Sequence, residues 1–419
     1  MSHPHLRLVA GLLFLAPLAA QRTWIVDQNG GAGVDFTDIP PALTAAAAGD
    51  RIEVRGAFTY SPCTVDKGVD LEALAGARVG ELTVQNLPAS QWARVTGFTV
   101  QGSLGIPFGR GADVVVSNCQ GPVTLTRIHA VLATTLGGNV DGMQITGSPQ
   151  VLVLDTTIDG AGLGSAFGGR GVVIAQSNVT LQRCSVFAGP GMNATTGFPP
   201  TPGTPGRPAL TATGSTVFGV NTGLSAGRGG AGALVGGVTC VSPGPGGNAV
   251  EGDGGVLMGT SVLFGAPSGV PAGTCPGAAQ GLAATGPWRI TSDCLVVGAL
   301  QGGATTIGRF LYFAAPPEVN RGAVSNFQLS GPPNSIAIML LDGVHSFFTF
   351  PGVDGFYLLT LNRIVVTVLV VGPLGVVGWP VPVPNDAALR NVQVFYQGIG
   401  LLPPYANAHF TSVGDQRIR

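Results

Sequence analysis

Residues 169–189, "GRGVVIAQSNVTLQRCSVFAG", hold two short apolar runs, a Ser-Asn corner between them, and glycine at either end. Degraded copies of the pattern recur along the chain. "GMQITGSPQVLVLDTTIDGAG" begins at Gly142, "PALTATGSTVFGVNTGLSAG" at Pro208, "NAVEGDGGVLMGTSVLFG" at Asn248 and "QGLAATGPWRITSDCLVVG" at Gln280. Each offers an apolar strand, a Ser/Gly corner, a second alternating strand, a polar corner, a third apolar touch and a closing Gly. Val179, Leu181 and Val186 of one copy answer to Val151, Val153 and Ile158 of the copy before it. Two-residue alternation places those side chains on one face, pointing inward. A unit of about twenty residues cannot bury such a face alone, but stacked units can, each strand pairing with its equivalent in the next rung. The pattern therefore predicts a parallel β-helix.

Composition agrees. The 419 residues include 67 glycines and 32 prolines, yet 45% are hydrophobic and only 10% charged. So apolar a chain has surface to bury, and many short strands with tight turns are expected rather than disorder. Gly/Pro-rich loops such as "GPGMNATTGFPPTPGTPG" (189–206) and "GRGGAGALVGGVTCVSPGPGG" (227–247) leave from one corner of successive rungs. They should lie along one side of the solenoid. The segment "GVDFTDIPPALTAAAAGDRIEVRGAFTY" (33–60) reads as a short helix capped by Asp38, with prolines in its first turn and an end at Gly49. Such a helix would cover an open end of the solenoid.

The segments "VDQNGGAGVDFTDIPPAL" (26–43) and "AAGDRIEVRGAFTY" (47–60) resemble the opening of the pectin-lyase-like right-handed parallel β-helix superfamily. There a G-x-x-F-x-x-I-x-x-A-like helix precedes a GD-x-I-x-V-x-x-G-x-Y-like first rung. The motif likeness covers residues 24–80, and the rung pattern extends it to about residue 300. The resemblance implies right-handedness and an extracellular, often polysaccharide-related setting, without fixing a reaction.

Beyond residue 303 the strands lengthen, as in "NFQLSGPP", "SIAIMLLDG", "RIVVTVLVVG" and "NVQVFYQGIGL". A small antiparallel β-sandwich is expected there. The tail "VPNDAALRNVQVFYQGIGL" (383–401) resembles the "IPNDPAL-x-G-x-x-x-Y-x-Q" endings of secreted planctomycete proteins. The expected organisation is all-β: a signal peptide over 1–20, a right-handed parallel β-helix with an N-terminal capping helix over 21–303, and the sandwich over 304–419.

Residues 1–20, with Arg7, the apolar "LVAGLLFLAPLAA" and Ala19-Ala20 before a polar switch, read as a secretory signal. Export suits six cysteines, for which fifteen pairings are open. Cys240 and Cys275 bracket a Gly/Pro-rich stretch and are the first choice for a bridge. The run 364–383, "IVVTVLVVGPLGVVGWPVPV", is long enough to span a bilayer. Gly372-Pro373 at its centre makes it a buried strand, a turn and an edge strand instead.

A net charge of −1 gives no electrostatic case for nucleic acid, and no Gly-rich loop carries the Lys-Ser/Thr of a nucleotide site. Relatives by resemblance act on an outward face where charged side chains from neighbouring rungs converge. Their "LGRPW", "NTD", "GHG" and "RIK" signatures are absent from this sequence. The best catalytic candidates are Asp155 and Asp159 in "LDTTIDGAG", with Arg170 opening the next rung. Against this, Asp at a corner commonly bonds backbone amides and sets a turn. Asp113 and Asp141 read as turn residues too. No cofactor is implied. Ca²⁺ stays open at Glu251 and Asp253 in "EGDGG", although the further oxygen donors of calcium repeats are lacking. The reading favoured by the sequence is a secreted or cell-surface rod, non-catalytic, with an accessory C-terminal domain. The alternatives are a polysaccharide lyase or glycosidase using Asp155 and Asp159, and an adhesin binding a glycan or cell-surface component through the Gly/Pro-rich loops.

Overall fold

A computed structural model describes residues 21–419 except 75, 102–111, 132–140, 161–167, 198, 237–238, 274, 309–310, 317, 344, 349–352, 355–356, 360–363, 390–391, 405–407 and 412–413. The expected signal peptide, residues 1–20, lies outside the described residues. Among those described, the strands from Thr23 to Ile307 form three long parallel sheets, one of eleven strands and two of nine, apart from an antiparallel hairpin of Ala233–Val235 with Thr239–Val241. The all-β parallel β-helix expected from the repeats is present, followed by a small antiparallel region.

One rung shows how the sequence does this. Val172–Ala175 lies on the third face, Asn178–Gln182 on the eleven-stranded first face, and Ser185–Phe187 on the second. Val151 pairs in register with Val179, Val153 with Leu181, and Ile158 with Val186, the equivalences read from the repeats. All six side chains are buried in one continuous core. Single residues in left-handed conformation turn the corners. Asn86, Asn118, Gly147, Gln176 and Gly214 (φ 51–58°) stand between the third and first faces. Arg127, Asp155, Arg183 and Asn221 (φ 48–53°) stand between the first and second. Just past the corners, short hydroxyls stack between rungs: Ser148 Oγ accepts from Cys119 N–H (3.1 Å), Ser177 Oγ from Ser148 N–H (3.0 Å), and Ser215 Oγ from Ser177 N–H (3.2 Å). Each hydroxyl in turn donates to the carbonyl two residues back, so no buried polar group of this ladder is stranded.

The helix α1 (Ile39–Ala45) covers the N-terminal end of the core with Ile39, Ala42 and Leu43. Asp38 caps it, its Oδ1 accepting from Ile39 N–H (2.8 Å). It ends sooner than Gly49, because Asp50 pulls the chain into a turn: its buried carboxylate accepts from Ala47 N–H (2.9 Å), Trp24 Nε1–H (3.0 Å) and Arg22 N–H (3.1 Å).

The Gly/Pro-rich segments do lie along one side, but they are not loops. Outgoing arms leave the second-face strands ending at Phe187, Ser225 and Phe264, and return arms enter the third-face strands beginning at Leu210, Val250 and Ala284. Outgoing arms bond to one another at every third residue: Ala188, Gly191 and Ala194 N–H donate to Ser225, Arg228 and Ala231 C=O, and Ala226, Gly229 and Gly232 N–H to Phe264, Pro267 and Val270 C=O. Return arms repeat this, with Gly203, Gly206 and Ala209 N–H donating to Ser242, Pro245 and Asn248 C=O. The two layers are cross-bonded, as in Gly227 and Gly230 N–H to Arg207 and Thr204 C=O. A three-residue period is that of polyproline II, which has no internal hydrogen bonds and turns its N–H groups sideways. Glycine is required because the layers touch: a Cβ on Gly230 would lie 1.6 Å from Met192 O, and one on Gly206 1.7 Å from Gly227 O. The disulfide Cys240–Cys275 (Cα–Cα 5.5 Å) ties neighbouring arms at their tips, as expected from their spacing. Cys63, Cys119, Cys184 and Cys294 are free thiols.

The C-terminal part packs its own core, around Phe313, Phe327, Leu329, Met339 and Tyr396, between a three-stranded antiparallel sheet and a seven-stranded, mostly antiparallel one. The uncharged run 364–383 is strand Ile364–Val370, a turn, and strand Val376–Pro382, each at the edge of a different sheet. Among the described residues no helix is long and apolar enough to cross a membrane.

Candidate functional site

The outward face of the eleven-stranded sheet is where rungs could array side chains towards a ligand. Its central positions are Leu152, Leu154, Phe218, Val220, Val256 and Met258, all buried, because Leu340, Leu359, Phe395 and Phe410 of the C-terminal part pack on them. Ion pairs flank this seam. Arg417 donates to both oxygens of Glu72, which also takes Arg51 Nη2–H at 2.5 Å. Glu318 accepts from Arg127 (2.9 Å) and Arg419 (2.5 Å). Burial pushes the Glu72 carboxyl up, but the bonds and charges of Arg417 and Arg51 outweigh it and hold it below the usual carboxylate range. Arg419 and Arg127 hold Glu318 low in the same way. The sequence reading missed this covered face. Its signal was present: "VLVL" (151–154) and "GVLM" (255–258) are continuous apolar runs, the mark of a strand buried on both sides.

Two of the three catalytic candidates, Asp155 and Arg170, pair with side chains other than each other. Asp155 is a left-handed corner residue (φ 48°) whose carboxylate accepts from Arg183 Nε (2.6 Å) and Nη2 (2.8 Å) in the next rung. Arg170 spans the rung in the other direction, giving Nη2–H to Asp141 (2.8 Å), whose Oδ1 also takes the Arg170 backbone N–H (3.0 Å). Asp159 ends the second-face strand Thr157–Asp159 and sits half-buried in register with Phe187. Arg94 and Asp70 repeat the bridging arrangement two rungs from the start, Nε to Oδ1 at 2.7 Å. Each of these pairs joins a carboxylate of one rung to an arginine of the next.

Glu251 and Asp253 are likewise engaged: Glu251 Oε1 accepts from Asn248 Nδ2–H (2.8 Å), and Asp253 Oδ2 from Gly214 N–H. Among the described residues no group of three or more His, Cys, Asp or Glu side chains converges as a metal site. A shallow hollow of about 360 Å³ beside α1 is lined by Pro40, Leu43, Pro62, Asp66 and Lys67.

The ordered slab leaves a different surface. Along its outgoing layer, Phe187, Pro190 and Asn193 stand exposed, as do Phe264, Pro267 and Val270 on the arm two places away, with Arg228 between them. The three-residue repeat spaces exposed positions about 9 Å apart along each arm. Compared with known protein families and with curated proteins, the chain finds no match.

Proposed function

We propose that this protein is a non-catalytic extracellular rod of the pectin-lyase-like type, exported by its N-terminal segment and working at or beyond the cell surface. The observation that carries the reading is where the charge goes: Asp155–Arg183, Asp141–Arg170 and Asp70–Arg94 each join one rung to the next. Carboxylates held this way supply stiffness and orientation, not proton transfer. The cross-bonded Gly/Pro slab and its disulfide add rigidity on one side, and the C-terminal domain braces the other. The disulfide also suits an oxidising compartment.

The test is incubation of the full chain with acidic and neutral polysaccharides, with and without Ca²⁺, following new reducing ends and the ultraviolet absorbance of unsaturated ends. No product is expected. Product that disappears in Asp155→Ala or Asp159→Ala would replace the rod by a lyase or glycosidase.

A second reading, an adhesin, is favoured by one observation. The slab is regularly bonded, and it exposes Phe187, Phe264 and Val270 beside prolines, as a glycan or cell-surface partner would require. Retention of the protein on a polysaccharide or cell-wall matrix, lost in Phe187→Ser with Phe264→Ser, would establish it.

A further inference from the structure

The two ends of the solenoid are unlike. At the N-terminal end α1 seals the core, and the terminal strands Thr59–Tyr60 and Cys63–Val65 bury Tyr60, Cys63 and Val65 to within 4%. At the other end, among the described residues from 292 to 308, no side chain is buried. Val296, Leu300 and Ala304 nonetheless point at the core cluster, half-covered. This end is open.

Its backbone is open as well. Leu295–Val297, Leu300–Gln301 and Thr305–Ile307 are the terminal strands of the three sheets. Leu295 N–H donates back to Ser261 O (2.9 Å) and Val297 O accepts from Gly265 N–H (2.9 Å). Thr305 N–H donates back to Trp288 O (2.8 Å) and Ile307 O accepts from Ser292 N–H (2.9 Å). Alternate residues of a parallel ladder bond to opposite neighbours, so Val296 and Thr306 turn their N–H and C=O groups outward. Ala299 O and Gln301 O likewise face back to Ala283 and Gly286, leaving Leu300 outward. Proteins usually blunt such edges with charge, proline or a bulge. From Leu295 to Gly308 there is no charged residue and no proline.

An apolar interface also runs out at this end. The antiparallel sheet that covers the first face shares a cluster with Ile307 of the last rung through Ile399. The neighbours of Ile399 on the same face, Ile338 and Val368, are exposed, as are Val370 and Leu401.

We propose that the open last rung is an association surface whose partner is the same end of a second copy of this chain. At the N-terminal end α1 covers the core and the segment at Phe36 pairs with the first-face edge at Val26, so head-to-tail stacking would have to displace both. An uncharged end meets its own copy without like-charge repulsion, and outward donors and acceptors on all three sides find counterparts. Such a self-complementary contact closes at two copies.

The full chain, with its disulfide intact, is measured by sedimentation and light scattering at rising concentration. A species of twice the 42.1 kDa chain mass, less whatever leader is removed, is expected, with no growth beyond two. Thr306→Pro removes an outward N–H and should give a monomer that keeps the parent's circular dichroism spectrum and melts as the parent does when diluted to its monomer. Thr306→Lys, which places like charges across the contact, should do the same if the proline variant folds poorly. A monomer at every concentration overturns the proposal. So does a dimer that survives both variants in folded form, or an oligomer that keeps growing.

Discussion

Arg417 donates through both terminal nitrogens to Glu72, a residue 345 positions earlier, and both side chains are buried. With Arg51 on its other side, Glu72 sits between two guanidiniums. The folded carboxyl titrates below its ordinary value, so the contribution is complete above the unfolded pKa, about 4.3, and is lost as pH falls through the folded value. Asp50 works in the same sense: burial raises it, but the N–H groups of Ala47, Trp24 and Arg22 bring it below the normal range. The expected outcome is a melting temperature that is flat near neutrality and falls in acid. Glu72→Gln leaves the buried Arg417 and the half-buried Arg51 short of a counter-charge and should cost about 3–5 kcal/mol at neutral pH. The variant should also lose part of the acid dependence. Thermal melts of both proteins between about pH 3 and pH 7 check this, and parallel curves would show that Glu72 is not the titrating group.

Asp155 is expected to matter for the turn more than for any reaction. Its left-handed backbone suits Gly, Asn or Asp and opposes β-branched residues. Asp155→Val should therefore cost about 1–3 kcal/mol, combining strain with loss of the Arg183 pair. Asp155→Gly loses the pair but not the conformation, so it should stay within about 1 kcal/mol of the parent. Denaturant midpoints at unchanged slope measure both. Equal losses in the two variants would mean that the corner is not the constraint.

The sequence was most legible where one physical rule acted alone. Inward valines and leucines at two-residue spacing gave rung, register and the Val151–Val179 equivalence, because a one-residue slip would expose the whole core face. The capping helix and the Cys240–Cys275 bridge were legible for similarly local reasons. Two features were not. The slab has the composition of a flexible linker, and its order comes from bonds between arms far apart in sequence, such as Gly191 to Arg228 and Ala194 to Ala231, each 37 residues on. The fate of Asp155 and Arg170 depended on neighbours in adjacent rungs, Arg183 and Asp141, whose reach across a corner cannot be read from spacing. Continuous apolar strands such as "VLVL" did announce a second buried face, but not which segment would cover it.

Glycines inside the slab should be irreplaceable, while those at its margin should not. Gly230→Ala sets a methyl 1.6 Å from Met192 O, and backbone on both sides leaves it nowhere to go. Gly197, with nothing within 4 Å of its would-be Cβ, serves as the control. Hydrogen exchange should show Gly191, Gly229 and Gly232 amides protected in the parent and in Gly197→Ala, and opened in Gly230→Ala. Fast exchange of these amides in the parent would mean that the arms are not bonded in solution.

Thiol chemistry separates the six cysteines by position. Burial pushes the Cys63 and Cys184 thiols up to about 12, so neither supplies thiolate near neutrality. Cys119 is raised by burial too, and Cys294 likewise though it is less covered. Native protein treated with an alkylating reagent should remain unlabelled at Cys63, Cys119 and Cys184, with slow reaction at Cys294. Mild reduction should then release Cys240, whose residue is exposed, and Cys275. Opening a bridge across 35 residues removes about 4 kcal/mol of loop-closure constraint in the chain-entropy description. Because the bridge joins arms and not rungs, that loss should appear first as exchange and proteolysis between residues 188 and 283. Mass spectrometry of labelled peptides, before and after reduction, reads both results, and early labelling of Cys184 would mean that the rung core opens before the slab does.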